Sequence, residues 1–247
     1  MSVVHVVVAP RLARYSRRDP ERRRFHRRAR RRLDALVAEV PDAEPVLMWG
    51  PPADRVLEWA REARPDVLVA ASHAGRIEGT LGSFSRRIAT SAPCPALILP
   101  PGVEPGAEPA PGASPYPHIA CCIDDSPASM RTLAEARRLR ALGPGMLSLV
   151  HVTPRALIDV PAPSGAGPRD LADEEREWLL ATAESVPGAE PVALTGLAPH
   201  AAIAWAREAR PDLMVAGAHR RGMERALLGS FAAHLAREAP CPALLTR

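Results

Sequence analysis

The octapeptide WAREARPD occupies residues 59–66 and recurs unchanged at residues 205–212. Around it the match widens. VPDAEPVLMWG from Val40 corresponds to VPGAEPVALTG from Val186, and APCPALIL from Ala92 to APCPALL from Ala239. His5 to His151, Trp59 to Trp205 and Arg64 to Arg210 keep one offset of 146 residues, and a single extra residue before Gly229 makes Cys94 to Cys241 147. Solenoid repeats run to about 20 to 50 residues, so a period this long is a duplicated domain. Such related domains pack about a pseudo-two-fold axis, as the protomers of a homodimer do.

The second copy is complete and alternates strands with helices. His118 to Ile123 is a short apolar strand, and Pro127 to Leu142 carries Met130, Leu133, Ala136 and Leu139 at largely helical spacing before Gly143-Pro144-Gly145 stops it. A second strand, Met146 to Val152, precedes a Pro/Gly/Ala-rich loop and an acidic helix from about Arg169 to Ser185. Strands at Pro191–Leu194, Leu213–Ala216 and Pro242–Leu245 then alternate with helices at Pro199–Arg210 and Ser230–Glu238. Trp59 and Trp205 fall on the inward helix faces with Leu57 and Ile203. Strands too apolar to face water, each followed by a helix, predict an α/β fold with an open parallel sheet and helices on both faces.

The first copy begins late. Met1 to Val6 aligns with Leu147 to Val152, so nothing in it matches the strand and helix from His118 to Gly145. The expected organisation is therefore residues 1–100 as a domain lacking its first strand and helix, 101–117 as a Pro/Gly-rich linker, extended and exposed, and 118–247 as a complete domain. Backbone groups that the missing strand would have paired need other partners, from another chain or from sequence upstream of Met1.

Composition narrows the chemistry. All 32 basic residues are arginine, and lysine, asparagine and glutamine are absent, which removes Schiff-base and P-loop lysine chemistry. The four cysteines show no C-x-x-C or metal spacing. No apolar stretch approaches the roughly 20 residues that span a bilayer, and the run Val3 to Ala9 lacks the basic flank of a signal peptide. A cytoplasmic protein with no membrane partner is expected.

In an open parallel sheet, ligands bind beyond the carboxyl ends of the strands where the winding reverses. Three segments of the second copy converge there: Asp124-Asp125-Ser126, His151-Val152-Thr153, and Gly217 to Arg221 running on to Gly229-Ser230. An acid at a strand end accepts hydrogen bonds from ribose hydroxyls, glycine lets backbone approach phosphate, and the free N–H groups of the helix opening at Ser230 attract an anion. A structural reading of the same residues stands beside it: Ser230 is a good N-cap in its own right, and Asp124 and Asp125 can cap the helix at Pro127. His73 and His219, at equivalent loop positions, have no recurring Ser, Cys or Asp partner and read as structural or solvent-facing.

On the glycine loop, the helix and the Ala239-Pro240-Cys241-Pro242 strand, the chain resembles the universal stress protein family. The resemblance covers the second copy and, apart from its missing start, the first. It implies two tandem domains of the adenine nucleotide α-hydrolase-like type, sheet order 3-2-1-4-5, pairing through the last strand and, in one subset, bound ATP or another adenine nucleotide. By that resemblance Asp124 is the ribose acid, Val152 the adenine contact, Gly217 the first loop glycine, and Gly229 with Ser230 the phosphate pair. Arg220 stands where the second glycine would be, and the loop is one residue shorter than the common pattern. In the first copy the acid is absent and Ala71 replaces the first glycine. A regulatory binding module without turnover follows. The related hydrolase-type enzymes carry a glycine-rich loop after the first strand, where this chain has Asp124-Asp125-Ser126-Pro127. A protein-interaction module whose pocket has lost its ligand remains the alternative, since fold alone does not decide.

Arg11 to Arg32 forms the remaining distinctive tract. Phe25, Ala29, Leu33, Leu36 and Val37 repeat at helical spacing, giving one amphipathic helix with a basic outer face. Its repeat equivalent is acidic, Arg27 and Arg28 aligning with Asp173 and Glu174. Three readings stand: a solvated face, a patch for nucleic acid or another polyanion, and attraction to an acidic helix in self-association. Tyr15 and Phe25 are the tract's only aromatics, too few for base stacking along a single strand.

Overall fold

The computed structural model describes residues 1–7, 20–72, 82–103, 110, 112–154, 168–218 and 229–247. These form two compact units, Met1–Arg64 and Pro65–Arg247.

In the first unit, β1 (Ser2–Val7) pairs in parallel with β2 (Glu44–Trp49), Val4 facing Val46. Two helices, α1 (Pro20–Ala38) and α2 (Pro52–Ala63), pack on this pair. α1 buries Ala29 and Leu33, and α2 buries Val56, Leu57 and Ala60. Phe25 and Leu36, expected inward, are 52% and 53% exposed: both lie on the flank of α1, turned away from the line through Ala29 and Leu33 that meets the strands. His26 stacks on Trp49 with ring centroids 5.9 Å apart. Pro52 opens α2, where its missing N–H costs nothing, and Arg64 ends it in the left-handed region (φ 48°), its N–H bonded to Ala60 O at 3.0 Å. Pro65 then prevents continuation.

The second unit holds β3 (Leu68–Ala71), α3 (Ser83–Ser91), β4 (Ala96–Leu99), β5 (His118–Cys122), α4 (Pro127–Arg140), β6 (Met146–Thr153), α5 (Pro168–Glu184), β7 (Ala189–Thr195), α6 (Ala198–Ala209), β8 (Leu213–Gly217), α7 (Ser230–Glu238) and β9 (Ala243–Thr246). One seven-stranded sheet runs β3-β4-β9-β8-β5-β6-β7, every neighbouring pair parallel except β4 with β9. The last strands of the two sequence copies thus meet antiparallel, Leu97 opposite Leu244. Among the described residues β3 pairs with β4 alone, whereas its repeat equivalent β8 lies between β9 and β5.

β5 is buried along its whole length, as a central parallel strand must be. Its alternation sends Ile119, Cys121 and Ile123 into a core with Leu147 and Leu149 of β6, Leu213 and Val215 of β8, Leu133 of α4 and Leu179 of α5. His118 turns to the opposite face, edge-on to Trp205 of α6 at 6.1 Å, so helices cover both faces. Trp59 and Trp205, read as core, are half-buried.

The linker departs from the extended, exposed expectation at its end. Ser114 is 3% exposed and Tyr116 packs against the core. A Cβ on Gly143 would stand 2.7 Å from Ser114 Cα, and one on Gly145 2.7 Å from Pro117 O, so both glycines are there to admit this segment. Met146 N–H closes the contact by donating to Pro117 O at 2.8 Å. The Pro/Gly composition that reads as a free linker therefore marks a close backbone approach here.

Candidate functional site

β5 runs out beyond Cys122 still attached to β6, with Ile123 N–H donating to Val150 O at 2.9 Å. The next residue, Asp124, is exposed, and its Oδ1 accepts three hydrogen bonds: from Ser126 N–H at 3.0 Å, from Ser129 Oγ at 2.6 Å, and from the Ser126 hydroxyl. Asp124 N–H in turn donates to Ser129 Oγ at 2.8 Å. This is an Asx turn leading into α4; the N-cap is Ser126 and makes no side-chain cap hydrogen bond, so Asp124 orders the turn and does not cap the helix as the structural reading expected. Its Oδ2 accepts no hydrogen bond from the described residues. Partial burial pushes its pKa up, but the Ser126 and Ser129 hydroxyls, the Ser126 N–H and the nearby His151 ring outweigh that and hold it below the usual carboxylate value. Asp124 is an anion at neutral pH.

At the end of β6 the side chains alternate. His151 and Thr153 are buried toward α5, and Val152, half-buried, points to the other face. His151 Nδ1 lies 2.9 Å from Ile123 O, Nε2 lies 3.1 Å from Glu175 Oε2, and the ring meets Trp178 edge-on at 5.3 Å. This contact clamps the strand ends together and ties them to α5. A cavity of about 580 Å³ opens beside it, lined by His151, Thr153, Asp173, Arg176, Leu179 and Thr195 among others; Val152 is not in its wall.

At the end of β8, Gly217 pairs with Thr246, and Ala218 N–H donates to Thr246 O at 2.8 Å. The chain returns at Gly229, whose N–H donates to Ala218 O at 3.0 Å, and α7 starts at the exposed Ser230. Its N-cap is Gly229, not the expected Ser230, and among the described residues it has no side-chain cap hydrogen bond. β6, β5 and β8 are parallel neighbours, so Asp124, Val152, Gly217, Gly229 and Ser230 share one end of the sheet. Arg220, His73, His219 and residues 8–19, which include Arg11, lie outside the described residues.

Sequence reasoning missed the partners that orient these groups. Ser129 sits five residues beyond Asp124, where i+2 and i+5 hydroxyls are a legible signature of a capped turn. Glu175 is 24 residues from His151 and carries no local signal.

A second buried histidine sets a pH dependence. His118 is 9% exposed, its ring Nε2 2.9 Å from Ser148 Oγ, while its backbone N–H donates to Asp212 Oδ2 at 2.7 Å. Burial lowers its pKa, and Asp212 offsets this only in part. The unfolded chain therefore takes the proton more readily, and stability present above about pH 6.5 is lost as pH falls through and below that value. Denaturant midpoints measured from pH 8 to pH 5 are expected to fall below about 6.5 in the native chain and to fall less in His118→Gln. Equal slopes would refute the assignment.

The fold and this site define an α/β protein with an open sheet and a crevice at the strand ends. The chain belongs to the universal stress protein family, whose sequence model matches residues 1–100 and 115–247. No curated protein matches it in sequence. Among solved structures it is similar to a universal stress protein from Archaeoglobus fulgidus DSM 4304, at 15% identity and a TM-score of 0.69, covering 100% of this chain and 86% of that one. A functionally unknown protein from Pseudomonas aeruginosa PAO1 gives 13% identity and 0.62 over 98% of this chain and 81% of the other. A putative universal stress protein from Pseudomonas aeruginosa UCBPP-PA14 gives 13% and 0.60 over 99% and 92%. At these identities the likeness is one of fold. No described helix is long and apolar enough to cross a membrane, and the described residues contain no group of three or more His, Cys, Asp or Glu side chains placed to hold a metal.

Proposed function

We propose that this protein is a regulatory binding module that holds one adenine nucleotide in residues 118–247, at the ends of β5, β6 and β8, without turning it over. The second-copy strands run β7-β6-β5-β8-β9, which supports the third-second-first-fourth-fifth order of the family resemblance. The observation that carries the reading is Asp124: one carboxylate oxygen is fixed by three hydrogen bonds and the other accepts none from the described residues. An oriented, anionic acceptor beside the β8 end suits ribose hydroxyls. The uncapped first turn of α7 and Gly217 suit phosphate, and Val152 the base. Arg220 is placed in the phosphate loop by sequence, and its guanidinium matches phosphate geometry.

Titration calorimetry with ATP, ADP and AMP tests this, with about one site per chain expected. Asp124→Asn keeps an acceptor for Ser126 and Ser129 but puts an amide donor in place of the second carboxylate oxygen. It is expected to leave the fold intact and weaken binding on the order of 10- to 100-fold, as loss of a charge-assisted hydrogen bond does. Asp124→Ala is expected to weaken binding as much and lose stability as well. Two sites per chain, or binding indifferent to Asp124→Asn and Gly229→Val, would defeat the assignment. No binding at millimolar nucleotide would leave the interaction-module reading in its place.

A further inference from the structure

Arg24, Arg27, Arg28, Arg31 and Arg32 line a groove of about 480 Å³ on α1, with Ala35 as its other wall residue. They occupy the face turned away from the buried Ala29 and Leu33. No carboxylate lines the groove: Asp34 is paired with Arg30 at 2.8 Å on the neighbouring flank, and none of the five arginines forms an ion pair with a described residue. Cations at i, i+3 and i+4 on a helix repel one another. The fold does not require them. At the repeat-equivalent positions of α5, Arg27, Arg28 and Arg31 are replaced by Asp173, Glu174 and Glu177, which are exposed. Residues 1–64 contain 15 arginines against nine acids, while the whole chain has a net charge of +4, so the entire basic surplus lies in this part of the chain.

We infer that the arginine face of α1 is a docking surface for the phosphate backbone of a double-stranded nucleic acid, read without base preference. A stripe of guanidiniums along a helix meets a regular array of phosphates, each of which takes a planar fork of donors. Neutralising that array releases counterions, a driving force that exposed ion pairs between two protein copies do not share. The duplex is favoured over single strands because the described part of α1 offers few rings for stacking: Phe25, and a His26 already stacked on Trp49.

The test is fluorescence anisotropy of a labelled 20-base-pair duplex with the full chain across a salt series. Five neutralised phosphates predict a log–log salt slope of about −4 to −5, or a loss of roughly 10²- to 10³-fold in affinity between 50 and 200 mM salt. Two duplexes of different sequence should bind within about threefold of each other. Arg27→Glu/Arg28→Glu/Arg31→Glu should flatten the slope to about −2 or less. If that variant loses its helical circular dichroism, Arg27→Gln/Arg28→Gln/Arg31→Gln serves instead and should lower the slope by about three. Arg61→Glu/Arg137→Glu/Arg207→Glu changes net charge equally on exposed sites elsewhere and should leave the slope unchanged. Four outcomes overturn the inference: a control variant as damaging as the groove variant, a shallow slope for the native chain, tighter binding to anionic lipid vesicles than to duplex, or a groove variant that alters oligomer size but not duplex binding.

Discussion

Leu244→Asp should abolish cooperative folding of the seven-stranded sheet. Leu244 is 3% exposed in β9, opposite Val215 of β8 on one side and Leu97 of β4 on the other, and it belongs to the core shared by β5, β6, α4 and α5. A carboxylate there has no partner. An uncompensated buried charge costs several kcal/mol, about 3–5 where a partner is removed and more where none existed, on top of the lost leucine packing. Set against a total stability of about 5–15 kcal/mol, that removes most or all of it. Leu244→Met, nearly equal in volume, should lose less than about 1.5 kcal/mol. Denaturant unfolding followed by circular dichroism distinguishes them, and an aspartate variant within about 1 kcal/mol of the native chain would show the strand junction to be unimportant.

Leu33→Ala is expected to melt the Met1–Arg64 unit and leave the larger sheet in place. Leu33, 1% exposed, and Leu57, 2% exposed, are the large side chains fully buried in that unit, which has a two-stranded sheet that cannot stand alone. Truncating a buried leucine to alanine costs about 2–5 kcal/mol, comparable with the roughly 3–10 kcal/mol available to 64 residues. Hydrogen exchange gives the readout. Amides of β1 and β2 should lose protection while those of β5 and β8 keep it, and Trp49 should lose its stack on His26. Uniform loss across both units, or none in either, would refute the prediction.

The duplicated octapeptide made the strand and helix order legible, because its copies ended each helix with the same Ala-Arg-Pro step: Arg64 and Arg210 both adopt the left-handed conformation, at φ 48° and 51°. Strand limits read from apolar runs missed by a residue or two in either direction: His118–Ile123 ran one past the observed Cys122, and Pro191–Leu194 fell short of Ala189–Thr195 because edge strand β7 carries exposed Glu190 and Thr195 near its ends. The packed end of the linker was hidden because Gly143 and Gly145 are read locally as helix stops, while their fit against Ser114 and Pro117 is tertiary. At the candidate site the residues at strand ends were legible, since strand order alone brings them to one end of the sheet. The spacing of Ser126 and Ser129 was legible, but not which carboxylate oxygen of Asp124 their hydroxyls fix, and the clamp of His151 on Glu175 joins a strand end to a helix that no local pattern connects.

The antiparallel junction of β4 and β9 also fixes when the sheet can be finished. Ala96 meets Leu245, a contact spanning roughly 150 residues, the kind of long loop closure that slows folding. At synthesis rates of about 5–20 residues per second, β4 emerges roughly 10–30 s before its partner exists. During that interval the edge of β4 from Ala96 to Ile98 must wait without β9 in the nascent chain. The junction that seals two strand edges in the finished protein is thus the step at which a growing chain is most open to pairing with the wrong neighbour.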